Sequence, residues 1–293
     1  MEQNRITKRN KRLGKCLYIV AIVFFCVLGS LILWQESAEG QVRTKPEYPK
    51  ENIDFLVDKV SLEQGDYEKL FQQTGLSPAA VDFLRTNNRQ RELPELQNLF
   101  FADLEVKCEK NTIITCEERI EEVKAPIKDR GRVQIPYLEN GDILITFNCH
   151  ALGWRNGHAA MIVDADERLS LEARVLGTNS SIASMAHWER YPSFAVLRLK
   201  GASKEQRSEV AAYAAENLND VPYRLEAGIL ERTKEGSTVV SGTHCAHLIW
   251  YAYKNFGFDL DSDGGVIVTP RDLYESPLLE VVQIYGMSLP EER

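Results

Sequence analysis

The sequence predicts an α+β chain in which short strands and two late helices form the main domain. Three observations point there. Gly157-His158-Ala-Ala-Met-Ile-Val163 is an apolar run of strand length that opens on a histidine. Thr243-His244-Cys245-Ala-His247-Leu-Ile-Trp-Tyr-Ala-Tyr253 has helical periodicity and opens on a cysteine, with Cys245, Ile249, Ala252 and Phe256 on one face. Ahead of both, residues 16–35 run for 20 positions without a charge.

That uncharged run is expected to be a transmembrane anchor. At about 1.5 Å per helical residue it spans roughly 30 Å, one bilayer core. Residues 1–15 hold Arg5, Lys8, Arg9, Lys11, Arg12 and Lys15 against Glu2, a balance of +5. The positive-inside rule then puts residues 1–15 in the cytoplasm and everything after residue 35 outside it. A cleaved signal peptide is the rival reading. The run is longer than an ordinary signal core, and Glu36 would occupy the −3 position of a cut after Ala38. The net charge of −8 leaves −13 for the rest of the chain, so no nucleic-acid partner is expected.

Residues 36–50 read as a polar linker. Residues 51–127 are expected to form a small helical subdomain that covers or extends the main domain. Gly75 ends one of its helices, Ser77-Pro78 caps the next, and Leu93 to Leu104 supplies a third apolar-periodic stretch. Residues 128–293 form the main domain. Strands are expected at 141–147, 158–163, 169–175 and 193–199. Ser203 with Gln206 makes a capping box for a helix running to about Asn217. Gly257 closes the helix that Cys245 opens. Of the six cysteines, Cys108 and Cys116 could be bonded across a hairpin.

A thiol at a helix start lies near the positive end of the helix dipole, which favours the thiolate. A histidine on a neighbouring strand could accept its proton and later return it to a leaving group. Cys245 and His158 are the candidates, with Glu172 as a carboxylate to orient the imidazole. Each has a plainer reading: His158 as a structural histidine, Cys245 as a small apolar filler, Glu172 as a solvated strand charge. His247 points away from Cys245 on the helix, and His244 is at the cap. Cys149, His150 and His158 match no standard zinc spacing, so no metal is expected there. Asp259-Leu-Asp261-Ser-Asp263-Gly264 begins like a calcium loop, but its twelfth position is Pro270, and it reads as a polar turn.

In order along the chain, Gly141-Asp142-Ile-Leu-Ile, the GHAAMIV string with His158, Glu172-Ala173, Asp220-Val-Pro222-Tyr223, the Cys245 string and the tail GFDLDSDGGVIVTPRDLYESP resemble the circularly permuted, NlpC-type hydrolases of the YiiX/YebB-like group. The likeness covers roughly residues 139–286. It implies a circularly permuted papain-like α+β fold with an antiparallel sheet and a nucleophile helix. It implies Cys245 as nucleophile, His158 as general base, Glu172 as the residue orienting it, and Tyr223 lining the site as a possible second oxyanion donor beside the Cys245 N–H. No cofactor is implied. Cell-wall stem peptide is the first substrate expectation and acyl lipid the second; an inactive cell-envelope binding module is the non-enzymatic alternative. Ala246-His247 stands where the family carries Ser-Glu, and nothing in 51–127 matches the family core.

Overall fold

The computed structural model describes residues 15, 17–31, 43–110, 119–124, 135–150, 155–228 and 240–289. The chain divides into two compact units, residues 1–40 with 152–154, and residues 41–151 with 155–293. In the first, residues 17–31 are helical. Among the described residues no helix is long and apolar enough to cross a membrane. The anchor expected over 16–35 extends past this helix, and its ends at Cys16 and residues 32–35 lie outside the described residues.

The second unit begins with four helices: α1 (Asp54–Val57), α2 (Gln64–Thr74), α3 (Pro78–Thr86) and α4 (Leu93–Phe101). Helix α2 stops at Gly75, whose φ of 73° is open to glycine at little cost. A Cβ at that position would also collide with the carbonyl of Ile284, to which the chain is tied by the Ile284 N–H to Gly75 carbonyl bond at 2.9 Å. Ser77 caps α3 by accepting the Ala80 N–H at 3.3 Å, and Pro78 fills the first helical position.

Among the described residues, nine strands follow in two antiparallel sheets. β1 (Val106–Lys110), β2 (Arg119–Val123) and β4 (Cys149–His150) form the smaller one. The expected helical subdomain over 51–127 therefore ends its helices at Phe101 and closes with strands. Cys116, the expected partner of Cys108, lies outside the described residues.

The larger sheet has the order β7–β6–β5–β3–β8–β9. Its strands are β3 (Ile143–Thr146), β5 (His158–Asp164), β6 (Leu169–Glu172), β7 (Ser181–Ser184), β8 (Phe194–Leu199) and β9 (Leu279–Tyr285). Strand periodicity sorts its side chains into two cores. Ile143, Ile145, Ala159, Met161, Leu171, Ala195 and Leu197 pack with α5 (Lys204–Asn217) and α6 (Cys245–Lys254). Leu144, Ala160, Ile162, Phe194, Val196 and Val282 pack with the helices of residues 54–101. Each such fully buried aliphatic side chain contributes about 1.5–3 kcal/mol. The sheet thus has one layer of helices on each face, and the early helices are needed to bury the second face. Helix α5 carries the capping box read from Ser203 and Gln206. A short helix, α7 (Pro270–Tyr274), precedes β9.

Candidate active site

His158 opens β5, a central strand. The turn that delivers it depends on Gly157, which has φ 78° and donates its N–H to the Cys149 carbonyl at 3.0 Å. A Cβ on Gly157 would lie 2.6 Å from the Thr146 carbonyl oxygen, so the close pairing of Thr146 with His158 needs glycine there. Glu172 closes β6, which runs antiparallel beside β5. The start of one strand therefore lies against the end of the other, and His158 Nε2 sits 2.7 Å from Glu172 Oε2.

Glu172 is buried, so the reading of a solvated strand charge does not hold. Four side chains hydrogen-bond to its carboxylate, and Arg174 Nε lies 4.0 Å from Oε2. His158 Nε2 at 2.7 Å and His187 Nε2 at 3.2 Å meet Oε2. The Ser170 hydroxyl at 2.5 Å and the Trp188 indole N–H at 3.1 Å donate to Oε1. Trp188 also lies over the His158 ring, with centroids 5.4 Å apart and planes 17° from parallel. His187 and Trp188 come from a 3-10 helix, Met185–Arg190.

Cys245 is the first residue of α6 and is buried at 4% exposure. The thiol lies near enough to His158 for hydrogen bonding and charge both to act on the imidazole. With Nε2 engaged by Glu172, Nδ1 is the ring nitrogen that remains for the sulfur. His158 touches both layers of the fold: Trp188 belongs to one core and Cys245 to the other. A residue at the end of a strand can do this, because there the sheet no longer separates its two faces.

The electrostatics follow from these contacts. Burial by itself pushes the His158 pKa down. The hydrogen bonds to Cys245 and Glu172 and the attraction of both for a positive ring outweigh it, and the imidazole is raised to about 10. Burial pushes Glu172 up, but the hydrogen bonds and charges of His158 and His187 hold it well below the usual carboxylate range.

Tyr223 is buried in the same core as Cys245. Its backbone forms a parallel bridge with Thr243, and the Thr243 N–H donates to the Pro222 carbonyl at 2.9 Å. The tyrosine segment thus lies alongside the chain just before the cysteine. His244 is the N-cap of α6, as its place in the sequence suggests, and its Nδ1 accepts the His247 N–H at 3.4 Å. His247 lies a turn further on, with Nδ1 3.1 Å from the Thr243 hydroxyl. Burial and the neighbouring His244 push its pKa down to about 3.

Cys149, His150 and His158 are not brought together as a metal set. His150 Nε2 pairs with Glu121 at 3.1 Å, while the Cys149 sulfur lies 3.5 Å from the Tyr191 hydroxyl. Among the described residues, Asp261, Asp263 and Asp272 are the group whose oxygens converge, within 4.8 Å of one another. Asp272 there also serves the Thr269 capping box.

Sequence reasoning missed Ser170, His187 and Trp188 around Glu172. Ser170 had a local signal, since residues two apart on a strand share a face. His187 and Trp188 had none, because their segment joins the site only through the fold.

No family model matches the chain, and no curated protein matches it. Among solved structures, it is similar to the metalloprotein YiiX of Escherichia coli O157:H7, with 15% identity over 52% of this chain and 98% of that one, at a TM-score of 0.38.

Proposed function

We propose that the protein is a cysteine hydrolase that cleaves an amide or ester through a Cys245 thioester. The observation that carries this reading is the line of contacts from Cys245 to His158 to Glu172, in a buried site. His158 takes the thiol proton, and the imidazolium is stabilised by the Glu172 carboxylate. The thiolate adds to the carbonyl carbon, and the C=O π pair moves to oxygen. Collapse re-forms the carbonyl and breaks the bond to the leaving group, which takes the proton from His158. Water then attacks the thioester with His158 as base, releasing the acid and restoring the thiol. The Cys245 N–H at the start of α6 is one donor for the oxyanion, and Tyr223 lines the site. The burial of Cys245 would suit an inactive binding module equally well, but its interaction with the His158 imidazole favours the enzyme.

For the substrate, cell-wall stem peptide is the first reading, on an outward-facing domain tethered by residues 16–35. One observation favours acyl lipid as the second. Leu176 and Leu225 are exposed at 47% and 38%, on two loops joined by the Tyr223 N–H to Thr178 carbonyl bond at 3.0 Å. Exposed apolar side chains on the loops that follow Glu172 and Tyr223 suit an acyl chain. Incubation of the wild type and Cys245→Ala with muropeptides and with phospholipid vesicles tests both readings. Turnover of one class, lost in the variant, is expected. Equal turnover by the two proteins rejects Cys245 as the nucleophile.

A further inference from the structure

The N-cap of α6 is occupied by an unusual residue. Ser, Thr, Asp and Asn are the strong caps, because a short side chain with an oxygen accepts the free N–H groups of the first turn. Here His244 does this with Nδ1, which accepts the His247 N–H at 3.4 Å. An imidazole nitrogen that accepts carries no proton, so in the neutral ring the proton is on Nε2. That Nε2–H is buried and has no hydrogen-bond partner among the described residues. The residue as a whole is only 6% exposed. A buried donor left unsatisfied costs about 1–3 kcal/mol, and in a native protein such a group calls for an explanation.

Its position supplies one. His244 directly precedes Cys245, at the end of a ten-residue helix whose first N–H groups already favour negative charge. His247 also has an unpartnered Nε2, but it sits two residues past Cys245 on the helix. There it lines a cavity of about 290 Å³ with Trp250, Lys254 and Asp259. The helical rotation of roughly 200° between them separates it from the thiol. Of the two histidines, whose rings lie 5.6 Å apart, His244 is the one that caps the helix end carrying the Cys245 N–H.

We propose that the Nε2–H of His244 is a donor to the oxyanion formed when the Cys245 thiolate adds to a carbonyl. This assignment rests on the reading of Cys245 as nucleophile. The Cys245 N–H gives the first hydrogen bond and His244 the second. The bond that is missing in the resting protein forms only as charge develops on oxygen, which is when a donor accelerates the reaction.

Two reagents separate this role from others. p-Nitrophenyl acetate acylates a thiolate through a tetrahedral oxyanion. Iodoacetamide alkylates it by displacement at carbon, with no oxyanion. The test is His244→Ser in the full chain, since Ser is a strong N-cap and keeps the helix start while its short side chain withdraws the distal N–H. Acylation of Cys245 is expected to slow by roughly 10²–10³-fold, the usual effect of losing one oxyanion donor. Alkylation should be unchanged. His244→Thr, also a good cap, carries the same expectation, and thermal melting identifies a variant that has lost its fold. Equal loss in both reactions would overturn the proposal in favour of a structural or thiolate-stabilising role. No loss in either would overturn it outright. A wild type that is alkylated at Cys245 but never acylated would refute the His244 assignment and leave the nucleophile standing. Acylation of Cys245→Ala at the wild-type rate would instead remove the nucleophile, and the His244 assignment with it.

Discussion

Glu172→Gln is the substitution whose consequence can be worked furthest from the structure. His158 is raised from 6.5 to about 10 although it is fully buried. At about 1.4 kcal/mol per pKa unit, Cys245 and Glu172 together overcome the burial penalty and leave a net preference of roughly 5 kcal/mol for the imidazolium. Glu172 supplies part of that preference, so loss of the carboxylate charge lowers the population of the thiolate–imidazolium pair by about tenfold or more. A second effect adds to it. Trp188 N–H can only donate, so the glutamine oxygen is held at the Oε1 side. The amide NH2 then faces His158 Nε2 and demands a lone pair there, which moves the ring proton to Nδ1, on the side of the sulfur. A base in that tautomer cannot accept the thiol proton, and the known cost of such a change is on the order of 10⁴ in kcat. The assay is the rate of Cys245 alkylation by iodoacetamide across pH, with thermal melting in parallel. The sign for stability follows from the raised pKa. The wild type holds the full contribution of this pair below about 6.5 and loses it as pH rises through about 10. Glu172→Gln should lose less Tm over that window and alkylate more slowly at pH 7. Superimposable alkylation profiles and Tm slopes for the two proteins would refute the assigned role.

Other perturbations read separate parts of the fold. Cys245→Ser should abolish thioester formation while shifting Tm by only a few degrees, checked by mass spectrometry of the acyl adduct and by calorimetry, because the exchange is nearly isosteric. Gly157→Ala should lower Tm and slow alkylation together, since the Cβ would sit 2.6 Å from the Thr146 oxygen and push the start of β5. Arg198→Met leaves Asp142 buried without the two bonds it receives at 2.8 and 2.7 Å, and should cost about 3–5 kcal/mol in urea unfolding. Burial raises Glu121, but bonds from His150 and Arg155 bring it down to about 2. Its contribution, roughly 3 kcal/mol, is present above 4.5 and is lost as pH falls through about 2, so Glu121→Gln should flatten the acid limb of the Tm–pH curve.

The parts of this fold that could be read from sequence are those whose physics is local. Ser77 with Pro78, and Ser203 with Gln206, announce helix starts because a cap acts over three residues. His158 and Cys245 could be paired as candidates because each stands at the end of an element with a distinctive apolar pattern. The sixth strand, Leu279–Tyr285, was not anticipated. Its register with Phe194–Leu199 joins residues eighty or more positions apart, and its apolar run alone does not name a partner. The strands at 106–110 and 119–123 lie within the stretch read as a helical subdomain, where the sequence signals no more than a hairpin between Cys108 and Cys116: alternation over five residues is a weak signal until β4 supplies the third strand. The surroundings of Glu172 were illegible because three distant pieces converge on one carboxylate.

That convergence bears on why a buried Glu172–His158 pair is tolerable at all. Taking two charges out of water costs several kcal/mol, and their mutual attraction offsets this only when the remaining lone pairs are filled. Oε2 receives two histidines, and Oε1 receives Ser170 and Trp188. No comparable apolar replacement would keep these groups in place, since removing the carboxylate would orphan the Trp188 N–H. The same saturation fixes the geometry. Trp188 both donates to the carboxylate and covers the face of the His158 ring, so the imidazole can neither rotate away from Glu172 nor tilt from Cys245 without breaking a contact in each core. A pair built only for stability would not need a neighbour on every side. One built to hold an imidazole in a single orientation and tautomer toward a sulfur does.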